Sequence, residues 1–94
     1  MTLSNEDLQE IERRCAAARP GPWRSYIEGR DHFGGSNVIV VGDGASLSVD
    51  IEPLGATTED QDFMAAARQD VPRLLAEVRR LRSALERRGG DAST

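Results

Sequence analysis

Few side chains in this sequence could do chemistry, and they do not converge on one reaction. His32 is the single histidine and the one side chain that titrates near neutrality unperturbed, and Asp31 beside it could orient it as a base. Such catalysis needs a nucleophile, a base and an orienting group together. No G-x-S-x-G elbow, second histidine or spaced pair of catalytic carboxylates accompanies His32. His32 is therefore read as a solvated loop residue, and no enzymatic activity is expected. The glycine clusters Gly34-Gly35-Ser36 and Gly42-Asp43-Gly44 could be mistaken for phosphate cradles. Neither opens a helix or precedes a P-loop lysine, and Asp43 would repel phosphate. Turn geometry explains them better. Cys15 is the only cysteine; it cannot close an internal disulfide, and with one histidine it cannot build a zinc site, so no metal or cofactor is expected.

Recognition chemistry has better material. Trp23, directly after Pro22, either plugs the core or offers a stacking platform for a planar ligand, with Arg24 adjacent to meet a phosphate or carboxylate. Arg68 and Arg82 flank an apolar helical seam at its e positions, whereas Arg73, Arg79, Arg80 and Arg87 fall at b and c positions facing outward. In an oligomer, e-position arginines of two chains would converge at the interface edge and could clamp an anion. The alternative is a solvated face of ordinary pairs, Arg73 with Glu77, Glu77 with Arg80 and Arg82 with Glu86, each worth only about 0.2–0.5 kcal/mol.

The elements that must position these residues can be read from periodicity. Leu8, Ile11, Cys15 and Ala18 recur on one stripe, predicting a helix over residues 3–19 on which Cys15 acts as a small hydrophobe. Ser4 is its N-cap, Asp7 completes a capping box, and Leu3 with Leu8 forms a hydrophobic staple. Pro20, Gly21 and Pro22 end it. Residues 23–28 alternate, with Trp23, Ser25 and Ile27 on one face. Residues 37–41 form a β-branched run, and residues 45–52 alternate strictly, with Ala45, Leu47, Val49 and Ile51 on the apolar side. The result is a small antiparallel sheet of about three strands whose apolar face needs a helix to cover it.

Thr58 and Gln61 have the spacing of a capping box that starts a second helix. Along it Met64, Ala67, Val71, Leu74, Val78, Leu81 and Leu85 alternate spacings of three and four, an a/d seam, and Leu75 widens the stripe toward the sheet. Pro72 removes a backbone donor and predicts a kink or a recapped break near residue 70. The tail, residues 89–94, has the composition of a disordered end, which leaves residues 1–88 as one α+β domain. Packing the sheet on the long helix leaves Val71, Leu74, Val78, Leu81 and Leu85 for another chain, so a homo-oligomer, most simply a dimer, is expected.

Charge narrows the partners. The 94 residues carry 12 arginines and no lysine against 16 acids, a net of −4, which disfavours general nucleic-acid binding. The distribution is uneven: residues 20–63 hold 2 Arg and 8 acids, net −6, and residues 64–94 hold 7 Arg and 4 acids, net +3. The longest apolar run, residues 38–41, is far too short to span a membrane. The first residues lack the basic and apolar regions of a secretory signal, so the cytosol is the expected location.

Two blocks of the sequence also resemble a known pattern. Ala17, Ala18, Pro20, Gly21, Pro22 and Trp23 carry an A-A-x-P-G-P-W motif, and Phe63, Ala65, Ala67, Arg68, Asp70, Pro72, Leu74 and Leu75 carry F-x-A-x-A-R-x-D-x-P-x-L-L. As a pair they resemble small phage and prophage accessory proteins of the Ead/Ea22-like kind. The resemblance implies a phage or mobile-element origin, a dispensable accessory role in the host bacterial cytosol, and self-association. From the residues and the resemblance together, the expected function is non-enzymatic. The protein would be an accessory, anti-defence type of homo-oligomer that sequesters an anionic, nucleotide-like small molecule between protomers at Trp23, Arg24, Arg68 and Arg82. The alternative is a protein-interaction module that binds and inhibits a host protein through its C-terminal helix and acidic middle.

Overall fold

A computed structural model describes residues 2–42 and 48–92. It has an α+β architecture in the order α1 (Asn5–Ala17), β1 (Trp23–Tyr26), β2 (Val38–Val41), β3 (Val49–Ile51) and α2 (Thr58–Ala92). The strands form one antiparallel sheet in the order β1-β2-β3. No helix among the described residues is long and apolar enough to cross a membrane.

Local chemistry accounts for the starts and stops. Ser4 caps α1 as expected: its hydroxyl accepts from Asp7 N at 3.0 Å, and its own N–H donates to Asp7 Oδ2 at 2.8 Å. The second box is shifted by one residue from the expected one. Thr57, not Thr58, accepts from Asp60 N at 3.0 Å and donates its N–H to Asp60 Oδ2 at 3.1 Å. Gln61 is thereby released from capping, and it turns inward.

The strand pairing fixes which side chains face α2. Trp23 lies opposite Val41, which lies opposite Val49, and Ser25 lies opposite Ile39, which lies opposite Ile51. These residues share one face, because side chains alternate along a strand and align across it. Ile39, Val41 and Ala65 of α2 form the buried centre there, with Trp23 and Val49 packed against it. Ala45 and Leu47, the start of the strand expected over 45–52, and the Asp43-Gly44 part of the expected turn lie outside the described residues.

Two features of α2 depart from expectation. It is one continuous helix through Pro72, without the recapped break predicted near residue 70. Proline deletes a single rung there, the donor to Arg68 O, while packing holds the helix on both sides of it, Ala65 on the sheet and Leu75 on α1. The helix also runs through Gly89 and Gly90 to Ala92, so most of the expected disordered tail is helical.

Leu75 does not reach toward the sheet. It is buried where α1 lies along α2, in contact with the pocket formed by Leu3, Leu8, Ile11, Val71 and Val78. The sheet instead meets a different stripe, Gln61, Ala65 and Gln69, four residues apart on one side of the helix.

Candidate interaction surface

The Gln61, Ala65 and Gln69 stripe is the joint between helix and sheet. Ala65 is small enough to let the backbones approach, and the two amides satisfy polar groups that this approach removes from water. Gln61 is 1% exposed. Its Nε2 donates toward Ser25 Oγ at 3.0 Å, Val38 O at 3.0 Å and Tyr26 O at 3.2 Å, gripping the paired ends of β1 and β2. Gln69 accepts from Trp23 N at 2.9 Å through Oε1 and donates from Nε2 to Trp23 O at 3.3 Å and to Ala65 O at 2.9 Å. Gly21 belongs to the same joint, since a Cβ there would stand 3.1 Å from Gln69 Oε1. Sequence reasoning missed this stripe because glutamine is a usual solvent-facing helix residue; the one available signal was the exact four-residue spacing around a small alanine.

The residues expected to bind an anion are distributed over this frame, and within the chain only Trp23 and Arg68 meet. Trp23 faces α2, and its indole Nε1 donates to Arg19 O at 3.2 Å. Arg68 Nε donates to that same carbonyl at 2.8 Å. Arg24 is exposed on the opposite face of the sheet, as strand alternation requires. Arg82 hydrogen-bonds to Leu3 O at the start of α1, fourteen residues beyond Arg68 and so roughly 21 Å along the helix. Arg68 and Arg82 therefore secure the chain on either side of α1.

Several other charged groups are also paired within the chain. Arg30 makes a two-pronged contact with Asp62, at 2.8 and 3.0 Å, and its Nε donates to Asp31 Oδ2 at 2.9 Å. This arrangement ties the β1–β2 loop to the first turns of α2. The Arg30 guanidinium, followed by a hydrogen bond from Ser25, holds the Asp62 carboxyl down at about 2. Arg30 first, and then the Ile27 N–H, lowers Asp31 as well. Asp31 Oδ2 is thus committed to Ile27 N, at 2.8 Å, and to Arg30. His32 instead places Nδ1 3.2 Å from Gly34 O, and its buried Nε2 has no hydrogen-bond partner among the described residues. The Asp-His pair considered from sequence is not formed. On α2, Glu77 pairs with Arg80 as expected, while Arg73 lies nearest Asp70 and Arg79 reaches Glu12 of α1.

Cys15 is half-buried in an open groove of about 360 Å³ between α1 and α2, beside Glu12, Arg68, Pro72 and Arg79. Among the described residues no group of three or more His, Cys, Asp and Glu side chains is placed to hold a metal.

The surface left unpartnered is apolar and lies along α2. Because α1 covers one flank of the heptad seam, Val71 and Val78 are half-buried by their own chain rather than left entirely for another. Leu74, Leu81 and Leu85 remain 63%, 52% and 69% exposed. A second apolar patch lies at the other end of the helix, where Leu54 and Phe63, 88% and 74% exposed, line a groove with Pro53, Asp60 and Met64. The chain matches no protein-family model, no curated protein and no solved structure.

Proposed function

We propose that the protein is a non-catalytic interaction module that works through the open seam of α2, with a second copy of itself as the first partner. The observation that carries this reading is the exposure of Leu74, Leu81 and Leu85 at heptad-compatible spacing on a helix that packs on the sheet along one side and on α1 along another. Residues so placed bury one another when two such helices meet.

The dimensions support it. The accessible surface is 7070 Å², whereas a compact monomer of 10.3 kDa would expose roughly 5,400 Å². The excess is roughly twice the ~800 Å² that each partner contributes to a standard interface. The radius of gyration is 18.1 Å, against about 12 Å for a compact chain of this length. Helix α2 thus extends as an arm, and a second chain along it would cover about half of that excess.

Arg68 and Arg82 are not assigned to an anion in this reading, since each already serves a backbone carbonyl of its own chain. Docking by surface rather than by chemistry also suits the accessory, phage-type character that the two sequence blocks imply. Sedimentation velocity over a wide concentration range tests the proposal. The wild-type chain is expected to shift toward twice 10.3 kDa as concentration rises, and Leu74→Arg with Leu81→Arg to stay at the monomer mass. A wild-type chain that remains a monomer at about 1 mM, a concentration at which ~4 kcal/mol of association free energy suffices, overturns it.

A further inference from the structure

The seam ends in two apolar patches on the same side of α2, and its charges change sign between them. Leu81 and Leu85 lie at the basic end, among Arg79, Arg80, Arg82, Arg87 and Arg88. Leu54, Phe63 and Met64 lie at the acidic end, beside Glu59, Asp60 and Asp62. Among the described residues, Leu54, Phe63, Leu81 and Leu85 stay more than half exposed and Met64 39%.

Resting on the self-pairing reading above, we propose that two copies dock antiparallel along α2, the Leu81 and Leu85 of each covering the Leu54, Phe63 and Met64 patch of the other. The twofold axis then passes between Val71 and Leu74. Helical spacing sets the register: with Val71 opposite the second copy's Leu74, Ala67 meets Val78, Met64 meets Leu81, and Leu85 falls over the groove at Asp60. The half-buried Val71 thus faces the exposed Leu74, the two small residues Ala67 and Val78 face each other, and so do the two large ones, Met64 and Leu81. A layer of an antiparallel pair fills this way when a and d positions oppose each other.

Charge selects the same orientation. A parallel pair would set two segments of net −6 side by side at one end and two of net +3 at the other. The antiparallel pair brings the basic arm of each copy against the acidic first turns of its neighbour, within reach of screened attraction. Asp70 approaches Glu77 of the second copy in this arrangement, but each already has an arginine on its own helix, Arg73 and Arg80. Helix α1 packs on the flank of Leu75 and Arg82 and reaches Val71, Leu74 and Val78 at its edge, and the approach stays open on the other side of the seam, where Leu74, Leu81 and Leu85 are exposed.

Cross-linking in a Cys15→Ser background tests the orientation. Chains carrying Met64→Cys are mixed with chains carrying Leu81→Cys and oxidised, and the mixed disulfide is expected to exceed either symmetric one. A dominant link between two Leu81→Cys chains overturns the antiparallel register while leaving self-association standing. Monomers by sedimentation with no cross-link overturn both.

Pulsed dipolar spectroscopy on a spin label at the exposed Ser83→Cys position, outside the seam, gives a second readout that leaves the packing untouched. Antiparallel copies separate the labelled positions by roughly 32 Å along the axis, whereas parallel copies bring them level, within about 10–20 Å. The longer distance supports the proposal and the shorter one overturns it.

Discussion

At the scale of single residues, the molecule depends on two side chains that a hydropathy profile would place in solvent. Gln61 is buried because the two N–H bonds of its amide are shared among the carbonyls at the ends of two strands and a serine hydroxyl. Gln61→Ala leaves these acceptors without a donor in a site closed to water, and a loss of about 2–3 kcal/mol in urea unfolding is expected. Gln61→Leu should be no better, since its volume is retained and its donors are not. The Arg30 contacts give a separate, pH-dependent signature. The folded-state pKa of Asp62, about 2, lies below its ordinary value of 3.8. Its stabilising contribution is therefore complete above pH 4 and is lost as the pH falls from about 4 toward 2. Arg30→Ala should flatten that acid limb of the stability curve, measured by thermal melts at fixed ionic strength. An acid limb as steep as the wild type's would assign acid sensitivity to other carboxylates.

At the scale of elements, Pro72 is the residue at which local and tertiary preferences disagree. Pro72→Ala returns the missing donor to Arg68 O and removes a helix-breaking residue, so a gain of about 1–3 kcal/mol is expected in denaturant unfolding. A loss instead would show that the ring's packing against α1, in the groove with Cys15 and Ala16, outweighs the bond. The element order was legible in the sequence because each signal was local: Ser4 with Asp7, the Pro20–Pro22 break and the β-branched run at 38–41 all act within a turn or a strand. What stayed hidden was decided between elements. The seam promised an open stripe, but periodicity could not say that α1 would take its Leu75 flank, nor that glutamines rather than leucines would face the sheet. Contacts between elements also decide where the expected site residues lie within one chain. Trp23 and Arg68 do come together, on Arg19 O, while alternation along β1 carries Arg24 to the far face. The A-A-x-P-G-P-W and F-x-A-x-A-R-x-D-x-P-x-L-L blocks are thus two sides of one joint, with Gly21 and Trp23 on one and Arg68 and Gln69 on the other.

At the scale of the whole molecule, an arm 35 residues long on a three-stranded base leaves stability tied to association. For a chain that pairs, the melting temperature rises with protein concentration, because mass action favours the dimer over unfolded monomers. That rise is expected for the wild type and should vanish in Leu81→Arg; a concentration-independent melt for both would place the stability wholly within one chain. The Gln69 clasp on Trp23 bears on a different kind of assembly. By occupying both the N–H and the C=O of Trp23, it stands in for a neighbouring strand where β1 would otherwise offer a template. Uncontrolled growth of the sheet into fibrils is blocked at that margin, and Gln69→Ala should shorten the lag before amyloid-dye fluorescence appears.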